Sequence, residues 1–394
     1  MVIVTMKKVL FIINNMNIGG IQKALLELLK VLSKREDYAV SLFCANRSGV
    51  LLEQIPKNIT ILPENKWAKV SETALHSCKK MGLCFYLFRV LASVWTKLFH
   101  KGLPARLLCA LVGNLGTYDM AISYAQPIQD KDFCNLTNEF ALHCCKAKRK
   151  AVFIHCDFAN YGGNSKRNRK LLQKFNAVAA VSDSVGQRLI DCVPELASKV
   201  CTVPNCHDFE AIRAMADIDP VTYTSGVTFV TVARLSEEKG LLRCIPIFAK
   251  LHNEGYDVHW HIVGGGSLQS CLEESIANYG AGDYIVLEGE QINPYRFIRN
   301  ADFFLLPSFH EAAPVVFGEA AALGTEVIST RTLSAEELVA SKGIGVVCDN
   351  TDEGIAEAIE QAVLRRQACE SRTAVGVSNQ EAETSFIRLW EERQ

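Results

Sequence analysis

The sequence predicts an α/β protein made of two doubly wound, Rossmann-like domains facing each other across a cleft. Three observations carry this. Short, almost wholly apolar runs alternate with helical patterns; the series of runs pauses after Ser182 and restarts at Val227; and the two halves of the chain carry opposite charge. A run that is apolar at every position is buried on both faces, as in a parallel sheet covered by helices on each side. At 394 residues the chain is long enough for two or three domains with sizeable cores.

The elements follow in order. "KKVLFII" (7–13) reads as a buried strand and "IQKALLELLKVLS" (21–33) as the helix after it. "YAVSLFCA", "MAISYA", "KAVFIHC" and "NAVAAVS" carry the strand series to Ser182. A linker is expected near 207–224, after which "VTFVTVAR", "HWHIVGGG", "YIVLEG", "DFFLLPS", "EVIST" and "IGVVC" repeat the arrangement. The domains are set at 1–213 and 214–375, with 376–394 as a C-terminal helix crossing back to the first.

Composition narrows the class. Hydrophobic content of 49% with 22% charged residues is that of a globular protein. The fifteen cysteines form no C-x-x-C pair and no Cys/His cluster at zinc spacing, which fits a reducing cytosol. There is no signal-peptide pattern and no uncharged apolar run of membrane-spanning length. A cytoplasmic protein is expected. Residues 1–215 hold 29 Lys/Arg against 16 Asp/Glu, whereas 216–394 hold 13 against 27. The net charges of +13 and −14 suggest that the two domains meet different partners.

In open parallel sheets ligands bind beyond the carboxyl ends of the strands, and the polar motifs fall there. Gly19 and Gly20 follow the first strand at a helix start, where backbone can approach a ligand; a tight turn is the simpler reading. "VGGGS" (263–267), with Gly264 and Gly265, lacks the G-x-G-x-x-G spacing of a dinucleotide site, and no P-loop is present. In "ARLSEEKG" (233–240), Arg234 and Lys239 place two cations near a helix start, which suits a diphosphate; the alternative is pairing with Glu237 or Glu238. Glu311 and Glu319 stand eight positions apart in a segment otherwise almost uncharged. A helix beginning near Pro314 or Val315 makes Glu319 an early-turn acid facing the cleft. Carboxylates there can accept sugar hydroxyls, although a single acid can also cap its helix.

The segment "SFHEAAPVVFGEAAALGTEVI" resembles the E-x7-E signature of retaining glycosyltransferases of family 4, which have the GT-B fold. "NIGGIQ", "VFIHCDF", "AVSDSV", "VPNCHDFE", "ARLSEEKG", "VGGGS" and "NPYRFIRNADFFLLPS" precede it in the family's order, so the resemblance runs from about residue 7 to about 365. The tail motifs look most like enzymes of bacterial surface-polysaccharide assembly. The resemblance implies a cytoplasmic hexosyltransferase that moves sugar from a nucleoside-diphosphate donor, such as a UDP-sugar, to a glycan or lipid-linked acceptor. It implies that Arg234 and Lys239 hold the donor diphosphate, Glu319 the ribose, and that Glu311 and His155 lie beside the transferred sugar. Gly19, Gly20, Gly264, Gly265, Pro314, Val315 and Val316 are implied on the donor, and Ser182 and Asn205 in the cleft without assigned roles. Two departures stand out: Ala312 replaces the family's glycine after the first glutamate, and Cys206 its glycine after Pro-Asn.

The family retains anomeric configuration by same-face attack, so neither a side-chain nucleophile nor a cofactor is expected. The D-x-D pairs Asp130/Asp132 and Asp217/Asp219 do not follow strands, so no metal is expected. Competing classes are a non-catalytic GT-B-like scaffold subunit and a nucleotide-sugar 2-epimerase of related fold. Neither accounts for R-L-x3-K-G together with E-x7-E. Residues 79–106 lie in a stretch, 73–118, that has no Asp or Glu and mixes aromatics with Lys79, Lys80, Arg89, Lys97, Lys101 and Arg106. Such a stretch suits an anionic membrane surface on the inner face of the cell membrane; the alternative is a core-packed hairpin. No nucleic-acid partner is expected.

Overall fold

The computed structural model describes residues 6–223, 226–368 and 376–391. One parallel sheet holds β1 (Lys7–Ile13), β2 (Tyr38–Cys44), β3 (Thr60–Ile61), β4 (Thr117–Ser123), β5 (Lys146–Ile154), β6 (Ala177–Ala180) and β7 (Val200–Thr202). Its spatial order is β3-β2-β1-β4-β5-β6-β7. The other holds β8 (Val227–Val232), β9 (Val258–Val263), β10 (Ile285–Gly289), β11 (Phe303–Leu306), β12 (Glu326–Thr330) and β13 (Gly345–Cys348), ordered β10-β9-β8-β11-β12-β13. The apolar runs are the strands. β3 and β7, of two and three residues, escaped the sequence reading because so short a strand shows no period.

In both sheets the order reverses, between β1 and β4 and again between β8 and β11. Connections leave such a point toward opposite faces and open a crevice at the carboxyl ends, where ligands bind. The crossover helices bury one face each. In Gly20–Ser33, for example, Leu25, Leu28, Leu29 and Leu32 are buried, each worth about 1.5–3 kcal/mol relative to exposure. In the second sheet, Trp260 stacks on Phe248 at 5.1 Å and donates its indole N–H to Thr231, so even its polar atom is satisfied.

The chain divides into Met1–Cys206 with Asn379–Gln394, and His207–Ser378. The expected boundary at 213/214 falls inside the helix Phe209–Ala216. Ile212 and Ala216 of that helix pack with Phe317 and Ala320, so hydrophobic burial places it in the second unit. The expected boundary at 375 lies outside the described residues. The C-terminal helix Gln380–Arg388 sits in the first unit: Phe386 stacks on Phe11 at 6.2 Å, and Arg149 donates to the Leu389 carbonyl at 3.2 Å.

The stretch read as one basic amphipathic segment is three helices, Leu75–Met81, Leu83–Leu98 and Gly102–Val112. Gly82, at φ 133°, turns the chain between the first two. Among the described residues no helix is long and apolar enough to cross a membrane.

Candidate functional site

The switch point of the second sheet gathers the charged motifs. After β8 the chain makes two single-turn 3-10 helices, Glu237–Lys239 and Leu241–Cys244, joined by Gly240 at φ 64°. A Cβ at Gly240 would overlap the Pro307 carbonyl, so glycine is required both for the turn and for the close approach of the loop after β11. The Phe309 N–H donates to the Glu238 carbonyl at 2.8 Å, stitching the two loops together.

This stitching brings Lys239 to Glu311. Their ammonium and carboxylate pair directly, and the Ser308 hydroxyl donates to the same Glu311 oxygen at 3.0 Å. Both side chains are mostly buried, at 18% and 12% exposure. Glu237 and Glu238 were the sequence's alternative partners for both cations. For Arg234 that alternative is what the structure has: its guanidinium pairs with Glu238 at 2.7 Å, with Arg234 72% exposed. An exposed i,i+4 pair is worth only about 0.3–0.5 kcal/mol, so Glu238 holds Arg234 weakly.

The loop carrying Glu311 is braced from below by residues the sequence reading missed. Arg243 donates to the Pro307 carbonyl at 2.6 Å and to Asn350 Oδ1 at 2.8 Å, and lies over the Phe309 ring at 4.1 Å. Asn350 in turn donates to the Phe309 carbonyl at 3.0 Å. Position alone cannot reveal such a brace, since Arg243 looks like any surface cation after K-G until the fold buries it.

The glycine loop after β9 packs against the segment that leaves β8. Cβ atoms at Gly264 (φ 147°) and Gly266 (φ 159°) would overlap the carbonyls of Ala233 and Leu235. Leu235 donates to the Gly265 carbonyl at 2.9 Å, and Leu268 to the Leu235 carbonyl at 3.0 Å. Gly264 and Gly266 therefore let one backbone lie against another and fix the segment that presents Arg234. Only Gly265 has room for a side chain, its nearest neighbour being Glu290 at 3.6 Å. Gly264→Ala is expected to lower unfolding free energy by at least the roughly 1–3 kcal/mol of a strained backbone position, read from denaturant melts. An unchanged midpoint would remove this packing role.

Glu319 lies in the second turn of the helix Val315–Leu323 and is buried at 1% exposure. Pro314 is the N-cap residue of that helix, followed by Val315 and Val316, and neither glutamate caps it. The first turn contains no acid, so its positive dipole end is uncompensated from within the helix.

The first unit holds the remaining expected residues. His155 follows β5, with its ring 4.8 Å from Tyr124 and 5.7 Å from Phe153. Burial pushes its pKa down to about 3, so the imidazole is neutral at pH 7, and Nε2 has no hydrogen-bond partner among the described residues. Ser182 is fully buried, and its hydroxyl caps the helix Asp183–Cys192 by accepting the Val185 N–H at 3.2 Å. Such a cap is what a serine at a strand-to-helix junction supplies. Asn205 is half-buried after β7. Gly19 is extended at φ −177° and Gly20 would have open space around a Cβ, so no backbone strain demands glycine at either. The D-x-D aspartates are engaged elsewhere: Asp130 pairs with Arg167, Asp217 with Arg299 and Asp219 with Arg296.

Residues 219–378 match the family glycosyl transferases group 1. The amylovoran biosynthesis glycosyltransferase AmsK of Erwinia amylovora is 34% identical over 34% of this chain and 35% of its own. The lipopolysaccharide core biosynthesis glycosyltransferase LpsE of Rhizobium meliloti is 30% identical over 41% of this chain and 48% of its own. The matched stretch thus spans less than half the length of either relative. Anabaena Alr3699/HepE, solved in complex with UDP, superposes with a TM-score of 0.62 at 15% identity, covering 97% of this chain and 95% of that one. The chain accordingly has the GT-B fold, and its second unit is a glycosyl transferases group 1 domain.

Proposed function

We propose that this chain is a retaining, metal-independent glycosyltransferase of family 4. It moves a hexose-type sugar from a UDP-sugar to a glycan or lipid-linked acceptor in cell-surface polysaccharide synthesis. The observation that carries this reading is the pairing of Lys239 with Glu311 at the switch point between β8 and β11, with Arg234 on the segment that leaves β8. Support comes also from the UDP bound by the similar HepE.

The chemistry follows from charge. Breaking the anomeric C–O bond develops positive charge on the sugar and negative charge on the departing diphosphate. Arg234, Lys239 and the amides of Val315 and Val316 stabilise the diphosphate. Glu311, paired with Lys239, stands beside the sugar and opposes the growing positive charge. Glu319 accepts the ribose hydroxyls. The acceptor's proton passes to the leaving phosphate, and the new bond forms on the face the diphosphate leaves. The neutral His155, with Nε2 unengaged, offers one hydrogen bond to the transferred sugar without adding a charge that would resist carbocation character. Gly20 leaves room for the substrate to approach the helix Gly20–Ser33, with Gly19 before it.

Thermal shift with a panel of nucleotide sugars tests the reading directly. A donor that binds only the folded chain raises Tm, by about 2.7 kcal/mol of stabilisation at a hundred times Kd. If no nucleoside diphosphate or its sugar shifts Tm, the donor reading fails and the scaffold alternative takes its place. Metal is tested separately: transfer is expected to survive excess EDTA, because each D-x-D pair holds an aspartate in an ion pair with arginine. Loss of activity restored by Mn2+ or Mg2+ would overturn metal independence.

A further inference from the structure

The helices Leu83–Leu98 and Gly102–Val112 each leave an apolar row in solvent. On the first, Leu83, Leu87, Leu91, Trp95 and Leu98 are exposed at intervals of three and four residues. On the second the row is Leu103, Leu107 and Leu111. The opposite faces are packed, through Ala92 and Thr96 on one and Ala105 and Leu108 on the other. Both helices are therefore held in place with one face spare. Scattered exposed leucines need no explanation, but seven leucines and a tryptophan in two regular rows on adjoining helices form a surface that water disfavours.

A cavity of about 450 Å³ opens at the start of the second row, sharing Leu103 with it. Arg106, Lys166, Lys170 and Lys174 line it, all exposed and none in an ion pair among the described residues. The one acid in its wall, Glu139, is already bound to Arg167 at 2.6 Å. Lys101, 1% exposed, adds a further cation whose Nζ has no hydrogen-bond partner among the described residues. Its charge interacts with Glu139 and Arg167 of the cavity wall. Burial lowers the Lys101 pKa, a penalty that an anion in the cavity would relieve. Four uncompensated cations around a hollow are a receptor for phosphate oxygens.

We propose that this face of the first unit docks on an anionic bilayer, the two leucine rows entering the acyl boundary while the cavity receives a lipid phosphate headgroup. Charge complementarity selects this occupant: the stretch 73–118 has no acid, and an interfacial helix seats its apolar face about 5–10 Å into the headgroup boundary with cations beside it. The inference deepens the proposed function, since it supplies a lipid-linked acceptor with a docked enzyme, but it uses none of the donor residues.

The test is co-sedimentation of the full chain with vesicles of phosphatidylcholine alone or with added phosphatidylglycerol. Binding is expected only with the anionic lipid and should fall as salt rises from 0.1 to 1 M, where the Debye length shrinks from about 10 to 3 Å. Two exposed double variants divide the surface: Leu87→Ser with Leu91→Ser, and Lys170→Gln with Lys174→Gln. The first should abolish sedimentation. The second should weaken it at least about tenfold, two lost cations near the membrane each contributing to attraction. UDP-induced thermal shift is run on every sample, so that loss of lipid binding with nucleotide binding intact is separated from failure of the donor reading or of folding. Equal binding to both vesicle types overturns the headgroup cavity. A lysine-dependent thermal shift with inorganic phosphate, without vesicle binding, assigns the cavity to a soluble phosphate and overturns docking. A dimer in sedimentation velocity that the leucine variant dissociates, again without vesicle binding, assigns the rows to a second copy and overturns it equally.

Discussion

Lys239→Ala is expected to lower turnover by about a hundredfold, the order found when one preorganised donor to a developing negative charge is removed. Two effects add. The leaving diphosphate loses a cation held within the switch point, where partial burial makes it worth more than a solvated lysine. Glu311 also loses its charge partner and, among the described residues, keeps only the Ser308 hydroxyl. An unneutralised carboxylate beside the diphosphate would repel it, so donor affinity should fall as well. Lys239→Arg is the sharper control. The larger fork keeps the charge but not the point geometry, and it should recover part of the turnover if charge is what matters. Single-turnover rates with saturating donor separate chemistry from binding. A Lys239→Ala rate equal to wild type would remove the diphosphate assignment, whatever its effect on stability.

Much of this site was legible before any coordinates, and for a physical reason. Strands buried on both faces must be apolar throughout, so the sheets announced themselves, and with them the carboxyl ends where ligands gather. Arg234, Lys239 and Glu311 could be placed near one another on that ground alone. What the sequence could not supply was pairing across distance. Lys239 meets Glu311 rather than its neighbours because Gly240 folds the chain against Pro307, and nothing in "EEKG" specifies a partner 72 residues on. Arg243 and Asn350 were invisible for the same reason. Gly264 has a packing role that no motif announces: it admits another stretch of backbone. Ser182 serves as a cap at its strand-to-helix junction. The amphipathic stretch was correctly seen to be basic and acid-free, but only its observed exposure distinguishes a spare face from a core hairpin.

The two glutamates are expected to fail differently when made neutral. Glu311 is paired with Lys239 and accepts from Ser308, at the loop after β11, whereas Glu319 is buried at 1% exposure in the second turn of its helix. With Glu319 on the ribose, far from the bond that breaks, Glu319→Gln keeps one acceptor oxygen and loses the charge. Charge-assisted hydrogen bonds are worth about 1.5–3 kcal/mol, or roughly ten- to 150-fold in Kd for the nucleoside diphosphate. Donor KM should rise while kcat falls less, as expected when ground state and transition state lose binding equally. Glu311→Gln should instead depress kcat, because the charge it opposes exists only as the bond breaks. It also unpairs Lys239, so affinity for the free diphosphate should hold or rise. Steady-state kinetics with calorimetry on UDP reads both, and the melting temperature supplies a third axis. If Glu319→Gln lowers Tm but leaves UDP affinity unchanged, Glu319 is a buried structural acid and the ribose assignment falls. If Glu311→Gln loses UDP while Glu319→Gln retains it, the roles are reversed. If both variants turn over like wild type, the Lys239–Glu311 pair is a loop brace and the roles given to both glutamates in transfer fall.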